Sequence, residues 1–114
     1  VYAKLSPDDP RVKGAEKWLA KNYTLDENPG MGMQGLYYYY HTQALAFAAR
    51  GKPTFKLADG REIVWARELG ARLLTLQEAD GGWSNSADRW HEGSRVICAS
   101  YSLRALGKVL GGLK

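Results

Sequence analysis

Apolar positions recur at helical spacing through most of the chain. Val12, Ala15, Leu19 and Tyr23 form one stripe with Trp18 beside it, and Lys13, Glu16, Lys17 and Lys21 take the other side. This predicts an amphipathic first helix. Its start lies in Ser6-Pro7-Asp8-Asp9-Pro10, where either Ser6 caps with Asp9 three residues on, or Asp9 caps with Pro10 in the first turn. It stops near Asn22 or Tyr23, before the polar loop Thr24 to Gly30. A second helix opens near Gln34-Gly35 and runs to Gly51. Tyr37 to Tyr40 alone favour strand, but the alanine-rich residues His41 to Arg50 favour helix and Gly51 suits its exit. Four consecutive aromatics point to all sides of a helix, so this one is expected to be covered nearly all round. Lys52 to Gly60 reads as a loop closed by an Asp-Gly turn. A third helix, about Glu62 to Glu78, lines up Ile63, Ala66, Gly70, Leu73 and Gln77, with Trp65, Leu69 and Leu76 alongside. The loop Ser84 to Gly93 leads to a fourth helix with Ser94 as its cap. That helix carries Val96, Ser100, Leu103, Gly107 and Leu110 on one stripe, Ile97 and Tyr101 beside it, and ends at Gly111-Gly112. The fold class is all-α: four helices in two hairpins.

The two hairpins are related. An offset of 56 places Gly14-Ala15 on Gly70-Ala71, Phe47 on Leu103, and Gly51-Lys52 on Gly107-Lys108, dividing the chain into units 1–56 and 57–114. One helical hairpin per unit is the signature of a stacked-helix array or a closed helical ring, in which each unit buries its faces against neighbours. Two hairpins do not close a ring. Uncovered apolar helix faces are therefore expected, met by self-association or by a remainder of the protein.

Composition adds limits. Hydrophobic residues at 45% and charged residues at 25% are those of a soluble domain, and no apolar run approaches a membrane span. The chain begins at Val1, which suggests a processed chain or a piece of a longer one, exported if a signal peptide has been removed. The net charge of +4 comes without any cluster of Arg and aromatic residues, so no nucleic-acid partner is expected. Cys98 is the single cysteine, set among Val96, Ile97 and Ala99, and reads as a buried small hydrophobe.

The junction after the third helix is Leu73-x-x-x-Gln77-x-x-Asp80-Gly81-Gly82-Trp83. Gln77 is placed to reach backbone groups left unpaired at the helix end. Gly81 and Gly82 suit a sharp exit, and Trp83 offers a broad apolar face with one N–H donor. This pattern, followed by an alanine-, serine- and tyrosine-rich helix, resembles the Gln-Trp repeat of the terpenoid cyclase and protein prenyltransferase superfamily. Asn22 to Gly30 and Gly35 to Thr42 look more narrowly like squalene-cyclase-like repeat proteins of planctomycete-type bacteria. The resemblance covers nearly the whole chain, although the first half lacks the Gln and has Pro29-Gly30 in place of Gly-Trp. It implies a bacterial protein and part of an α/α toroid, with the first and third helices outer and the second and fourth inner.

The resemblance does not bring its chemistry with it. The Asp-x-Asp-Asp acid motif of the cyclases is absent, and Asp8-Asp9 is better read as capping. The Asp-x-Cys zinc pair of the prenyltransferases falls on Glu92-Gly93-Ser94, which lacks the thiolate, so no metal or cofactor is assigned. Asp80, Asn85 and Asp88 lack the spacing of a calcium loop. The catalytic candidates are Glu92, His91 and His41: the first two as an acid/base pair at the mouth of the fourth helix, the third as a cavity-lining residue. Their plainer readings are Glu92 supplementing the positive end of the fourth helix, a solvated His91 and a hydrogen-bonded core His41. Tyr37, Tyr38, Tyr40, Trp90 and Arg89 are the ligand-binding candidates, and Gln77, Asp80, Gly81, Gly82 and Trp83 the structural motif. The leading function is a non-catalytic repeat module that buries an apolar or isoprenoid ligand or a partner. The alternatives are a terpene cyclase whose acid lies outside these residues, and a polysaccharide-degrading or carbohydrate-binding toroid domain.

Overall fold

The computed structural model describes residues 5–114. These residues form four helices: α1 (Pro10–Asn22), α2 (Leu36–Arg50), α3 (Trp65–Leu76) and α4 (Arg95–Gly112). Of the two cap choices for α1, Asp9 is the one used: its carboxylate accepts the Arg11 backbone N–H at 2.9 Å, with Pro10 in the first turn. The tyrosine quartet is helical, as expected, and α2 ends on Gly51 in the left-handed conformation with φ of 70°. Ser94 caps α4 through the Ile97 N–H.

Lys52 to Gly60 is not a plain loop. Thr54–Lys56 (β1) and Glu62–Val64 (β2) pair antiparallel, with Phe55 opposite Ile63. Both of those side chains enter the core, while Lys56 and Glu62 face outward. This ribbon takes Glu62, Ile63 and Val64 away from α3, which begins at Trp65. β-branched Ile63 and Val64 sit more readily on a pleated ribbon than in a first helical turn. At its other end α3 stops at Leu76, because Gln77 is already extended and Glu78 belongs to the following turn.

The core lies where α2, α3 and α4 meet. Phe47 stacks on Trp65 with ring centroids 5.5 Å apart and meets Phe55 edge-on at 5.1 Å. With such bulk on α2 and α3, the face α4 turns inward is made of small or compact residues, Cys98, Ser102, Ala105 and Val109. Its stripe of Val96, Leu103 and Leu110 faces outward instead. Glycine sets the closest approach: a β-carbon on Gly112 would lie 2.6 Å from Cζ2 of the buried Trp65. α1 is peripheral, with none of its residues buried. It is tied on by Tyr23, whose hydroxyl donates to Glu68 at 2.9 Å, and by Arg50, which pairs with Glu16 at 3.3 Å.

Coverage of the tyrosine quartet is uneven. Tyr37 and Tyr40 are buried, Tyr39 is half-buried, and Tyr38 is 54% exposed. The hydroxyls of Tyr39 and Tyr40 donate to the carbonyls of Thr24 and Leu25, so these rings pin the segment that leaves α1. The offset of 56 does not run without a gap through both hairpins. α1 and α3 begin 55 positions apart, α2 and α4 59, because 13 residues join α1 to α2 and 18 join α3 to α4. Both junctions nevertheless contain the same doubly bonded turn. Asn28 N–H donates to Gly32 while Met31 N–H donates to Asn28, and Glu78 N–H donates to Gly82 while Gly81 N–H donates to Glu78.

Candidate functional site

The junction between α3 and α4 is assembled around Trp83. Its indole is buried and donates to the Leu73 carbonyl at 2.9 Å, a helix-end acceptor that also takes the Gln77 backbone N–H at 3.0 Å. Gln77 is exposed, and its amide donates to Gly81 across the turn at 2.8 Å. The reason is local: Gln77 has already left the helix, so its side chain follows the turn. Asp80 accepts the Gly82 N–H at 3.0 Å, and Arg95 of α4 reaches both Asp80 and Glu78 at 2.6 Å. The Gly82 N–H, followed by Arg95, holds the Asp80 carboxyl below the usual carboxylate range.

Beyond this turn the chain delivers a buried carboxylate. His91 has φ of 67°, an uncommon conformation for a non-glycine residue. It is fixed from both sides, since His91 N–H donates to the Asp88 carbonyl, Ser94 N–H to the His91 carbonyl, and Gly93 N–H to Asp88 Oδ1. The turn leaves His91 exposed and sends Glu92 inward to 0% exposure. Glu92 accepts the backbone N–H groups of Tyr37 and Tyr38 at 2.9 Å each, and the Asn85 amide at 3.0 Å.

Glu92 therefore serves the positive end of α2, not that of α4. α4 already has Ser94, whereas the α2 N-cap is Gly35, which has no side chain to supply an acceptor. The Cys98 thiol donates to the Glu92 carbonyl at 2.9 Å. Burial first, and then the Glu92 charge, push that thiol up to about 11.

Above this cap lies a cleft of about 480 Å³ lined by Asn28, Gly35, Tyr38, Trp90, His91 and Tyr101. Gly35, with φ of 68°, is needed twice over. Its backbone is left-handed, and a β-carbon there would stand 3.1 Å from the Trp90 ring. Tyr38 meets Tyr101 edge-on at 5.7 Å, and Arg89 lies over Trp90 at 5.0 Å. His41 sits behind Tyr101, ring to ring at 5.5 Å, with its Nδ1 buried and without a hydrogen-bond partner among the described residues. Burial, and then the Arg104 charge, lower its pKa.

The candidates thus separate. Tyr38, Trp90 and His91 share the cleft wall, with Arg89 against Trp90. Tyr37 and Tyr40 are core residues, and burial raises the Tyr37 phenol to about 12. His91 and Glu92 are sequence neighbours that face opposite ways, and both Glu92 oxygens already accept N–H donors. Asp80, Asn85 and Asp88 go to three different partners: Arg95, Glu92 and Gly93. Among the described residues, no group of three or more His, Cys, Asp or Glu side chains is arranged to hold a metal ion.

Tyr101, Asn28, Gly35 and Asn85 join this region without being marked for it in the sequence. The available signal was Gly35, two residues before the aromatic run, which leaves α2 without a capping side chain and calls for an acceptor from elsewhere. Compared with protein-family models, with curated proteins and with solved structures, the chain matches none.

Proposed function

We propose that this chain is a non-catalytic helical module of the squalene-cyclase-like kind, which binds an apolar ligand in the aromatic cleft at the N-terminal end of α2. The observation that carries the reading is the division of labour around Glu92. The buried carboxylate is fully occupied as a helix cap, and the described residues lining the cleft include no carboxylate. Aromatic walls with few polar groups suit a ligand held by its apolar surface. The repeated turn at the two helix junctions, with Trp83 closing the second, supports the Gln-Trp repeat resemblance and a place in a larger α/α assembly.

A second reading has its own support. Tyr38 and Trp90 are each about half exposed, and Asn28 and His91 stand beside them, an arrangement that also suits a sugar ring stacked on an aromatic face. The cyclase alternative requires an acid supplied from outside this cleft. One titration separates the readings. Tryptophan fluorescence is followed against squalene and farnesyl diphosphate in one series and soluble oligosaccharides in another, with Trp90→Phe as the reporter control. Quenching by the isoprenoids that vanishes in Trp90→Phe is the expected result. Quenching by saccharides alone transfers the assignment to carbohydrate binding, and no response to either series overturns the cleft as a binding site.

A further inference from the structure

The outward face of α4 has no counterpart in the cleft or the core. Val96, Leu103 and Leu110 stand seven residues apart, so they lie nearly in line along two successive pairs of turns. They are 79%, 61% and 63% exposed. The helix face turned to the core is Cys98, Ser102, Ala105 and Val109. The solvent face of α4 thus carries larger aliphatic side chains than its buried face, the reverse of an ordinary surface helix.

Beside the stripe lie Ser100, Gly107 and Gly111. Glycine inside a helix is destabilising relative to alanine. Gly112 has an internal reason for that cost in the Trp65 ring, but apart from the adjoining residues and the helix's own backbone no described atom stands within 4 Å of a β-carbon built on Gly107 or Gly111. The backbone there is bare and open to a close-packed neighbour.

The charges say what kind of neighbour. α4 contains no Asp or Glu, and beyond the small residues its edge is formed by Arg104 and Lys108. Arg95, at the start of the helix, is paired with Glu78 and Asp80. In an antiparallel two-fold pairing, a second copy presenting the same α4 face would set a basic edge against a basic edge, which opposes that pairing.

We infer that the outer face of α4 docks an amphipathic helix of a partner protein, one whose aliphatic stripe packs on Val96, Leu103 and Leu110 and whose acidic edge faces Arg104 and Lys108. The glycines let the two backbones approach, the aliphatic stripe supplies the buried area, and the basic edge selects the partner and its orientation.

The test uses two synthetic helical peptides of about three heptads with the same leucine seam, one flanked by Glu and the other by Lys. Fluorescence anisotropy with the whole chain at low salt should show binding of the Glu peptide at least about tenfold tighter than of the Lys peptide. Added salt should narrow the difference. Leu103→Asp, at an exposed position, should abolish binding while leaving the far-UV circular dichroism and thermal midpoint unchanged. The double variant Arg104→Glu/Lys108→Glu should reverse the peptide preference, and it does so without touching the aliphatic stripe. Equal affinity for the two peptides, binding that survives Leu103→Asp, or no binding of either peptide would overturn the inference. So would a sedimentation profile showing a dimer that Leu103→Asp dissociates, because the face would then be taken by a second copy.

Discussion

Replacing Glu92 with Gln preserves the size and shape of the side chain while removing its charge and exchanging one oxygen for an NH₂ group. In the native chain three N–H donors converge on its two oxygens: Tyr37 and Asn85 on one, Tyr38 on the other. A glutamine keeps the first oxygen and turns a donor toward the Tyr38 N–H. Losing one hydrogen bond to a charged acceptor removes about 1.5–3 kcal/mol. The lost attraction to the helix end adds about 0.3–1 kcal/mol, and more where the geometry is buried.

The expected loss for Glu92→Gln is therefore about 2–4 kcal/mol, a large share of the ~5–15 kcal/mol typical of a whole domain. Glu92→Ala strands all three donors and should cost at least as much. Urea unfolding followed by far-UV circular dichroism gives the total. Amide hydrogen exchange gives the location, with the Tyr37 and Tyr38 N–H groups losing protection ahead of the rest of α2. Glu62→Gln, on the exposed side of the ribbon, serves as the control and should stay within about 0.5 kcal/mol of the parent. A Glu92→Gln protein as stable as that control, or one whose Tyr37 and Tyr38 amides exchange no faster, would refute the capping role.

Trp83→Ala removes a buried ring and its bond to the Leu73 carbonyl, and should cost about 3–5 kcal/mol in urea unfolding; a loss below about 1 kcal/mol would count against the account of the turn. Gly112→Ala forces a methyl against Trp65 and should destabilise by about 1–3 kcal/mol, whereas Gly107→Ala, with open space around it, should stabilise the free chain by up to about 1 kcal/mol. Calorimetry on the two variants gives opposite signs if the close approach of α4 is as described. Alkaline pH should lower the thermal midpoint. Folding raises the Cys98 thiol from 9.0 to about 11 and the Tyr37 phenol from 10.0 to about 12, so the unfolded chain releases these protons first. Stability from Cys98 is complete below about pH 9 and lost as pH rises through about 11; that from Tyr37 is complete below about pH 10 and lost through about 12. Cys98→Ala should move the onset of the decline from near pH 9 to near pH 10, and an unchanged onset would show that the thiol does not contribute.

The parts of this fold legible in the sequence are those set by neighbours along the chain. Asp9-Pro10 and Ser94 mark helix starts, Gly51 marks an exit, and the alanine-rich run after the tyrosines decides helix over strand. The two strands were not legible, since three residues each are too short to show alternation and the Asp-Gly turn between them fits a loop equally well. The facing of α4 was not legible either. Its larger aliphatic residues form the obvious stripe, yet the bulk of Phe47 and Trp65 admits only the compact side. Of the candidate site, Trp90 and His91 are marked in the sequence by their place at the mouth of α4, and Tyr38 by its aromatic ring on the predicted inner helix α2. Tyr101 reaches the same cleft from α4 only through the packing of α4 on α2. The target of Glu92 was out of reach because it lies 55 residues away in the chain, and no local pattern encodes a partner at that distance.

That distance bears on how the molecule comes into being. A growing polypeptide emerges with Tyr37 and Tyr38 long before Glu92, so on the ribosome the start of α2 has no native acceptor for two of its amides until the later residues have left the exit tunnel. The first hairpin is thus born incomplete and is finished by a side chain made more than fifty codons afterwards, which ties the two halves together and leaves any nascent chain short of Glu92 with an open helix end.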